Sequence, residues 1–116
     1  MGRQVINHRL LNKMDYSNIK VLKGAIGSMY NLQENGMNGD SVALSIYIDV
    51  HDAVYGQNSP LNDKQKKAID LNLVHCISQY EVAEMMGMSQ RMVNHYSYQE
   101  LRKISEFLMK GVDDDG

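Results

Sequence analysis

Apolar positions along the chain recur mostly at helical spacing. Between residues 17 and 32, Ile19, Leu22, Ile26 and Met29 repeat at three- and four-residue steps, with Ala25 and Leu32 beside them. That stripe predicts an amphipathic helix. Gly24 and Gly27 fall inside it, each weakening a helix by about 1 kcal/mol relative to Ala, and close packing of a second helix would explain them. A cluster of turn-favouring residues at 35–40 ends the segment. Residues 41–55 carry two overlapping periods. Leu44, Ile46, Ile48 and Val50 alternate as in a strand, whereas Ala43, Ile46, Tyr47, Val50 and Val54 form a helical face. Asp40 and Ser41 suit an N-cap, Gly56 suits the position after a helix, and the chain offers no second strand to pair with. The expectation is a buried helix.

The second half is cleaner. Asn62 or Asp63 caps a helix carrying Ala68, Ile69, Leu71, Leu73 and Val74, with Lys64, Lys66 and Lys67 on its wet side. Ser78 caps a short helix containing Tyr80, Val82, Ala83, Met85 and Met86, and Glu81 completes a capping box. Gly87 stops it. Ser89 then caps a helix expected to run to about Lys110 on Val93, Tyr96, Leu101, Ile104 and Leu108. The fold class expected is all-α: a small helical domain with a C-terminal helix-turn-helix and an N-terminal helical region.

Composition narrows the classes. A chain of 116 residues with 43% hydrophobic and 22% charged residues suits one globular domain and leaves little room for a two-layer enzyme around a large cleft. One Cys forms no internal disulfide, which suits a reducing cytoplasm. No apolar run approaches the roughly 18 residues of a membrane span, and the first fifteen residues lack a signal-peptide core. A net charge of −2 argues against gripping nucleic acid by bulk charge alone.

Residues 79–98 carry the most specific pattern. Two helices that cross steeply need a small residue where their backbones approach, and Ala83 occupies that place. The tight turn needs a residue tolerant of positive φ, and Gly87 follows four residues later. Val82, Met86, Met88, Val93 and Tyr96 are spaced to close a miniature core. Any amphipathic helical hairpin joined by Gly shares parts of this pattern. The joint match of small residue, turn glycine, apolar sites, two N-caps and a polar face favours a helix-turn-helix.

Residues 61–110 resemble DNA-binding region 4 of sigma-70-type factors. Leu61, Gln65, Ala68 and Ile69 match the helix preceding the motif. Ser78, Gln79, Glu81, Val82, Ala83, Gly87 and Ser89 match the motif itself, and Leu101, Lys103 and Ile104 match the closing part. The whole chain is most similar to small sigma-like regulators of bacteriophages and prophages. It departs from the family in three ways. It has no second domain like the sigma region that melts promoters, it places Met86, Met88 and Met92 where branched aliphatics are usual, and it carries less positive charge.

The resemblance implies a transcriptional regulator binding double-stranded DNA. In a major groove, Gln90, Arg91, Asn94 and His95 of the second helix would face base edges, Arg91 suited to guanine and Gln90 or Asn94 to adenine. Ser89, Gln79 and Tyr80 stand at helix N-termini, where phosphates are commonly held, and Lys64, Arg102 and Lys103 would add charge at the edges. For each residue singly, a solvated surface role is the simpler reading; as a set they form a face without acid.

Residues 60–112 carry seven Lys or Arg against six Asp or Glu. So slight an excess predicts weak, salt-sensitive binding by a monomer, and calls for a homodimer or recruitment by a partner such as bacterial RNA polymerase or another regulator. The expected organisation is an N-terminal region at 1–58 that supports or dimerises, a DNA-binding domain at 59–111 and an acidic disordered tail at 112–116. The alternative is a protein-interaction module docking on polymerase, a sigma factor or a regulator without reading bases.

Nothing points to an enzyme, a metal or another cofactor. His8, His51, His75 and His95 are scattered without zinc-ligand spacing. Asp49 and Asp52 flank His51, but exposed polar positions on a helix explain them better than catalysis does. Cys76 is expected to be a buried structural thiol rather than a nucleophile.

Overall fold

A computed structural model describes the backbone of residues 14–115, with side chains described to residue 110. His8 and the rest of residues 1–13 lie outside the described residues, as does Gly116. Among the described residues the chain is all-helical: α1 (Ile19–Gly27), α2 (Met29–Met37), α3 (Ser41–Tyr55), α4 (Asp63–Ile69), a π-helical turn (Asp70–Val74), α5 (Gln79–Met86) and α6 (Gln90–Asp115).

The stripe over 17–32 forms two helices rather than one. Asn18 caps α1 by accepting from the Lys20 and Val21 amides at 3.0 and 3.3 Å. At Ser28 the backbone leaves the helical region (φ −104°, ψ 15°), ending α1 and starting α2. Leu22, Ala25, Ile26 and Met29 are buried across the bend, so both pieces contribute to one core. The glycines expected to lie under a packed helix do not share that role. A Cβ on Gly24 would meet nothing within 4 Å, and one on Gly27 would make ordinary contact with the Leu73 carbonyl at 3.6 Å. The close approach lies instead at Gly36, where a Cβ would stand 2.7 Å from both Cα and Cβ of Leu44. Gly36 thus lets α2 pack directly on α3, and α2 continues to Met37, into the stretch whose composition suggested a turn.

The ambiguous segment is a helix. Asp40 caps it by accepting from the Ala43 amide at 3.0 Å. Ala43, Ile46, Val50, Ala53 and Val54 are buried, whereas Leu44 and Ile48 of the alternating set are exposed. Helical period therefore governs burial here. Gly56 follows the helix in an extended conformation, and it is needed for closeness, since a Cβ would stand 2.2 Å from Oδ1 of Asp52.

Asn62 and Gln65 form a complete capping box on α4. The helix then widens: the His75 amide donates to the Asp70 carbonyl at 2.9 Å, a five-residue step. The chain reverses at Cys76, the one non-glycine among the described residues with positive φ, at 57°. Asn72 secures the reversal by donating to the Ile77 carbonyl at 2.8 Å, and its Oδ1 accepts from Ser97 of α6 at 3.3 Å. The Cys76 thiol, expected to be buried, is exposed, because this left-handed turn carries it outward.

The main core joins both halves of the chain. Leu22, Ile26, Val50 and Val54 meet Ile69 and Leu73, and α6 closes the cluster with Leu101, Ile104 and Leu108. Tyr16 is buried within it, donating to Asp49 at 2.8 Å, while Ser105 of α6 donates to the Tyr16 carbonyl at 2.7 Å. A second, smaller cluster consists of Val82, Ala83 and Val93, flanked by half-buried Leu71, Ile77, Met86 and Met88. Tyr96, expected in that cluster, is half-buried and lies outside it, and Met92, at a position where the family usually has a branched aliphatic, is exposed.

Candidate nucleic-acid interface

The face under consideration is built by local chemistry at the α5–α6 junction. Ser78 caps α5 through the Glu81 amide at 3.2 Å, and its hydroxyl also donates to the Glu81 carboxylate at 3.3 Å. Glu81 thus engages the Ser78 side chain rather than the Ser78 amide of a full capping box. At the other end, Gly87 adopts φ 66°, ψ 37°, where an L-residue is strained. The Met88 amide donates to the Ala83 carbonyl at 2.9 Å and the Gly87 amide to Glu84 at 3.3 Å, the paired bonds of a Schellman ending. Two residues later Ser89 accepts from the Met92 amide at 3.1 Å and α6 begins. The direction in which α6 leaves α5 is therefore set by a left-handed glycine and a capping serine.

Gln90, Arg91, Asn94 and His95 are all exposed on the first two turns of α6. Gln79, half-buried at the start of α5, donates to Oδ1 of Asn94 at 3.3 Å. That bond ties the N-terminus of α5 to the second turn of α6. Tyr80 stands exposed in the first turn of α5, and Ser89 is exposed while serving as the cap.

Helical spacing extends this face. Arg91, His95, Tyr98 and Arg102 follow at steps of four, three and four residues, all exposed, and so share one side of α6. Tyr98, 57% exposed, escaped the sequence reading, which sought apolar residues for the core. Its signal was its spacing from Arg91 and His95. The remaining cations separate from this set. Lys103 lies about 18 Å along the helix axis from Arg91 and about 120° around it. Its ammonium donates to Oε1 of Gln65 at 3.3 Å, next in sequence to Lys64 in the first turn of α4. Lys64 and Lys103 thus belong near the α4–α6 contact, while Arg102 continues the α5–α6 face.

The segment that carries this face is less acidic than its composition suggests. Glu100 of α6 is fully buried, and neither carboxylate oxygen has a hydrogen-bond partner. Burial pushes its carboxyl up to about 8, only partly offset by the charge of Lys103. At neutral pH Glu100 is therefore mainly uncharged, and one of the six acids of residues 60–112 drops out of the charge balance.

The other polar residues have different surroundings. His51 is exposed between the rings of Tyr47 and Tyr55, Asp52 is exposed, and Asp49 accepts from Tyr16. Among the described residues, no group of three or more His, Cys, Asp or Glu is placed to hold a metal ion. No helix among them is long and apolar enough to cross a membrane. No protein-family model matches the chain, and neither curated proteins nor solved structures yield a match.

Proposed function

We propose that the chain is a sequence-specific regulator of transcription that binds double-stranded DNA, with α5, the Gly87 turn and α6 acting as a helix-turn-helix. The observation that carries this reading is the acid-free, exposed face of Gln90, Arg91, Asn94 and His95, held on a capped helix whose exit angle Gly87 fixes. The likeness of residues 61–110 to sigma region 4 supports it and points to a phage or prophage regulator acting near bacterial RNA polymerase.

In this reading α6 lies in the major groove with Arg91 on a guanine edge and Asn94, oriented by Gln79, beside it. Arg102 meets the backbone further along the groove. The modest charge makes binding salt-sensitive and favours a homodimer or a DNA-bound partner. Selection from a randomised duplex library at low salt tests this. The expected result is a defined motif, with Arg91→Ala losing about 1–3 kcal/mol and relaxing one base position. Arg102→Ala weakens all sequences alike and lowers the salt slope by about 1. No enrichment over background overturns the reading.

A second reading rests on the exposed apolar residues near the junction: Tyr80, Met85 and Met92 are 60%, 58% and 46% exposed. Such a surface suits docking on polymerase, a sigma factor or another regulator. There, Arg91→Ala leaves partner binding intact while Met85→Ser together with Met92→Ser abolishes it.

A further inference from the structure

On α2 and α3, apart from the α5–α6 face, a cleft of about 340 Å³ opens between the helices. One wall is a row of rings on successive turns of α3: Tyr47, His51 and Tyr55. Their centroids are 5.3 and 5.0 Å apart, and neighbouring rings are tilted by 44° and 46°. Tyr30 and Gln33 of α2 form the opposite wall, with buried Met29 beside them. Tyr30 in turn stands 6.0 Å from the ring of His75.

Asp70, the first residue of the π-helical turn, also lines the cleft. Its Oδ1 accepts a hydrogen bond from the Tyr55 hydroxyl, which fixes the carboxylate against the ring row. The lining contains this one carboxylate and neither Lys nor Arg. Aromatic faces carry partial negative charge and attract cations within about 6 Å of the centroid. Rings on two walls with a carboxylate in the lining therefore make a field for positive charge, in a volume suited to a small ligand. A π-helical interruption placing the acidic residue is an arrangement often found at functional sites.

We infer that this cleft binds an organic cation of the alkylammonium class, its charge against the Tyr30, Tyr47 and Tyr55 rings and beside Asp70. The site is independent of the DNA-binding reading, since it shares no residue with that face. The ligand is either a free amine or an alkylated lysine side chain of another protein.

Choline and its neutral carbon isostere, neohexyl alcohol, are titrated into the full-length chain while tyrosine ring resonances are followed by NMR at constant ionic strength. The expected result is saturable shifts confined to Tyr30, Tyr47 and Tyr55, with the alcohol at least about tenfold weaker. Tyr30→Leu, at a largely exposed position that should leave the fold intact, and Asp70→Asn each weaken choline about fivefold or more. A peptide with one trimethyllysine separates the two sources: tighter binding than choline assigns the cation to a partner protein, and equal or weaker binding to a free amine. Equal binding of the alcohol, shifts centred on Tyr80 and Tyr98, or undiminished binding by Tyr30→Leu overturns the inference.

Discussion

Glu100 is the residue at which physical chemistry is most at odds with composition. A carboxyl without a hydrogen-bond partner, fully removed from water, sits on a helix whose neighbouring residues build the core. Its folded value of about 8 exceeds the ordinary value of 4.5, so the native state holds the proton more tightly than the unfolded chain does. Below about pH 4.5 both states are protonated and the site costs nothing from this source. As pH rises towards 8 the unfolded chain ionises first, and stability falls by up to about 1.4 kcal/mol per pH unit. Above that window the loss levels off. Glu100→Gln copies the protonated acid and removes the titration. Urea unfolding should find the variant equal to wild type at pH 4 and more stable by a few kcal/mol at pH 8. A parallel pH dependence of the two proteins would exclude this account. Nothing in the sequence marked Glu100 as buried: it resembles its neighbours Gln99 and Arg102, and only the packing of α6 separates them.

Among the elements, the glycines distinguish local signals from tertiary ones. Gly87 was legible because a short capped helix, a glycine and a second cap within twelve residues describe a turn by themselves. The caps at Asp40, Asn62, Ser78 and Ser89 were legible for the same reason: each bond is made within three residues. Gly36 was not, since its role depends on Leu44 arriving from the next helix. Nor was the bend at Ser28, because the apolar stripe runs through it unbroken, nor the π-helical turn, whose first residue, Asp70, accepts a hydrogen bond from Tyr55 of another helix. Opposite substitutions test the distinction. Gly36→Ala gains helix propensity but drives a methyl into the α3 backbone, and should cost about 1–3 kcal/mol. Gly24→Ala meets open space in a helix and should add about 0.5–1 kcal/mol. Denaturant midpoints for the two variants should therefore move in opposite directions, and a shared sign would show that propensity alone governs both sites.

At the scale of the whole molecule, α6 holds together two clusters of unequal size. Its C-terminal half is packed into the main core through Leu101, Ile104 and Leu108, whereas its first turns meet α5 across Val82, Ala83 and Val93. The sequence suggested an N-terminal region at 1–58 that supports or dimerises the domain at 59–111. In the structure α1, α2 and α3 share one core with α4 and α6, which no local period conveys. The small cluster has a consequence for how the candidate interface behaves over time. Releasing α5 exposes a few small and medium side chains, so local opening should cost a fraction of the global unfolding free energy. Amide hydrogen exchange should therefore be faster in α5 than in α3 or around Leu101–Leu108, and a bound duplex should slow it. Equal protection of α5 and α3 in the free protein would show a single cooperative unit. If α5 opens alone, the face that it shares with α6 is the part of the molecule most easily reshaped, and a partner gripping α5 could alter what α6 presents while the rest of the chain stays folded.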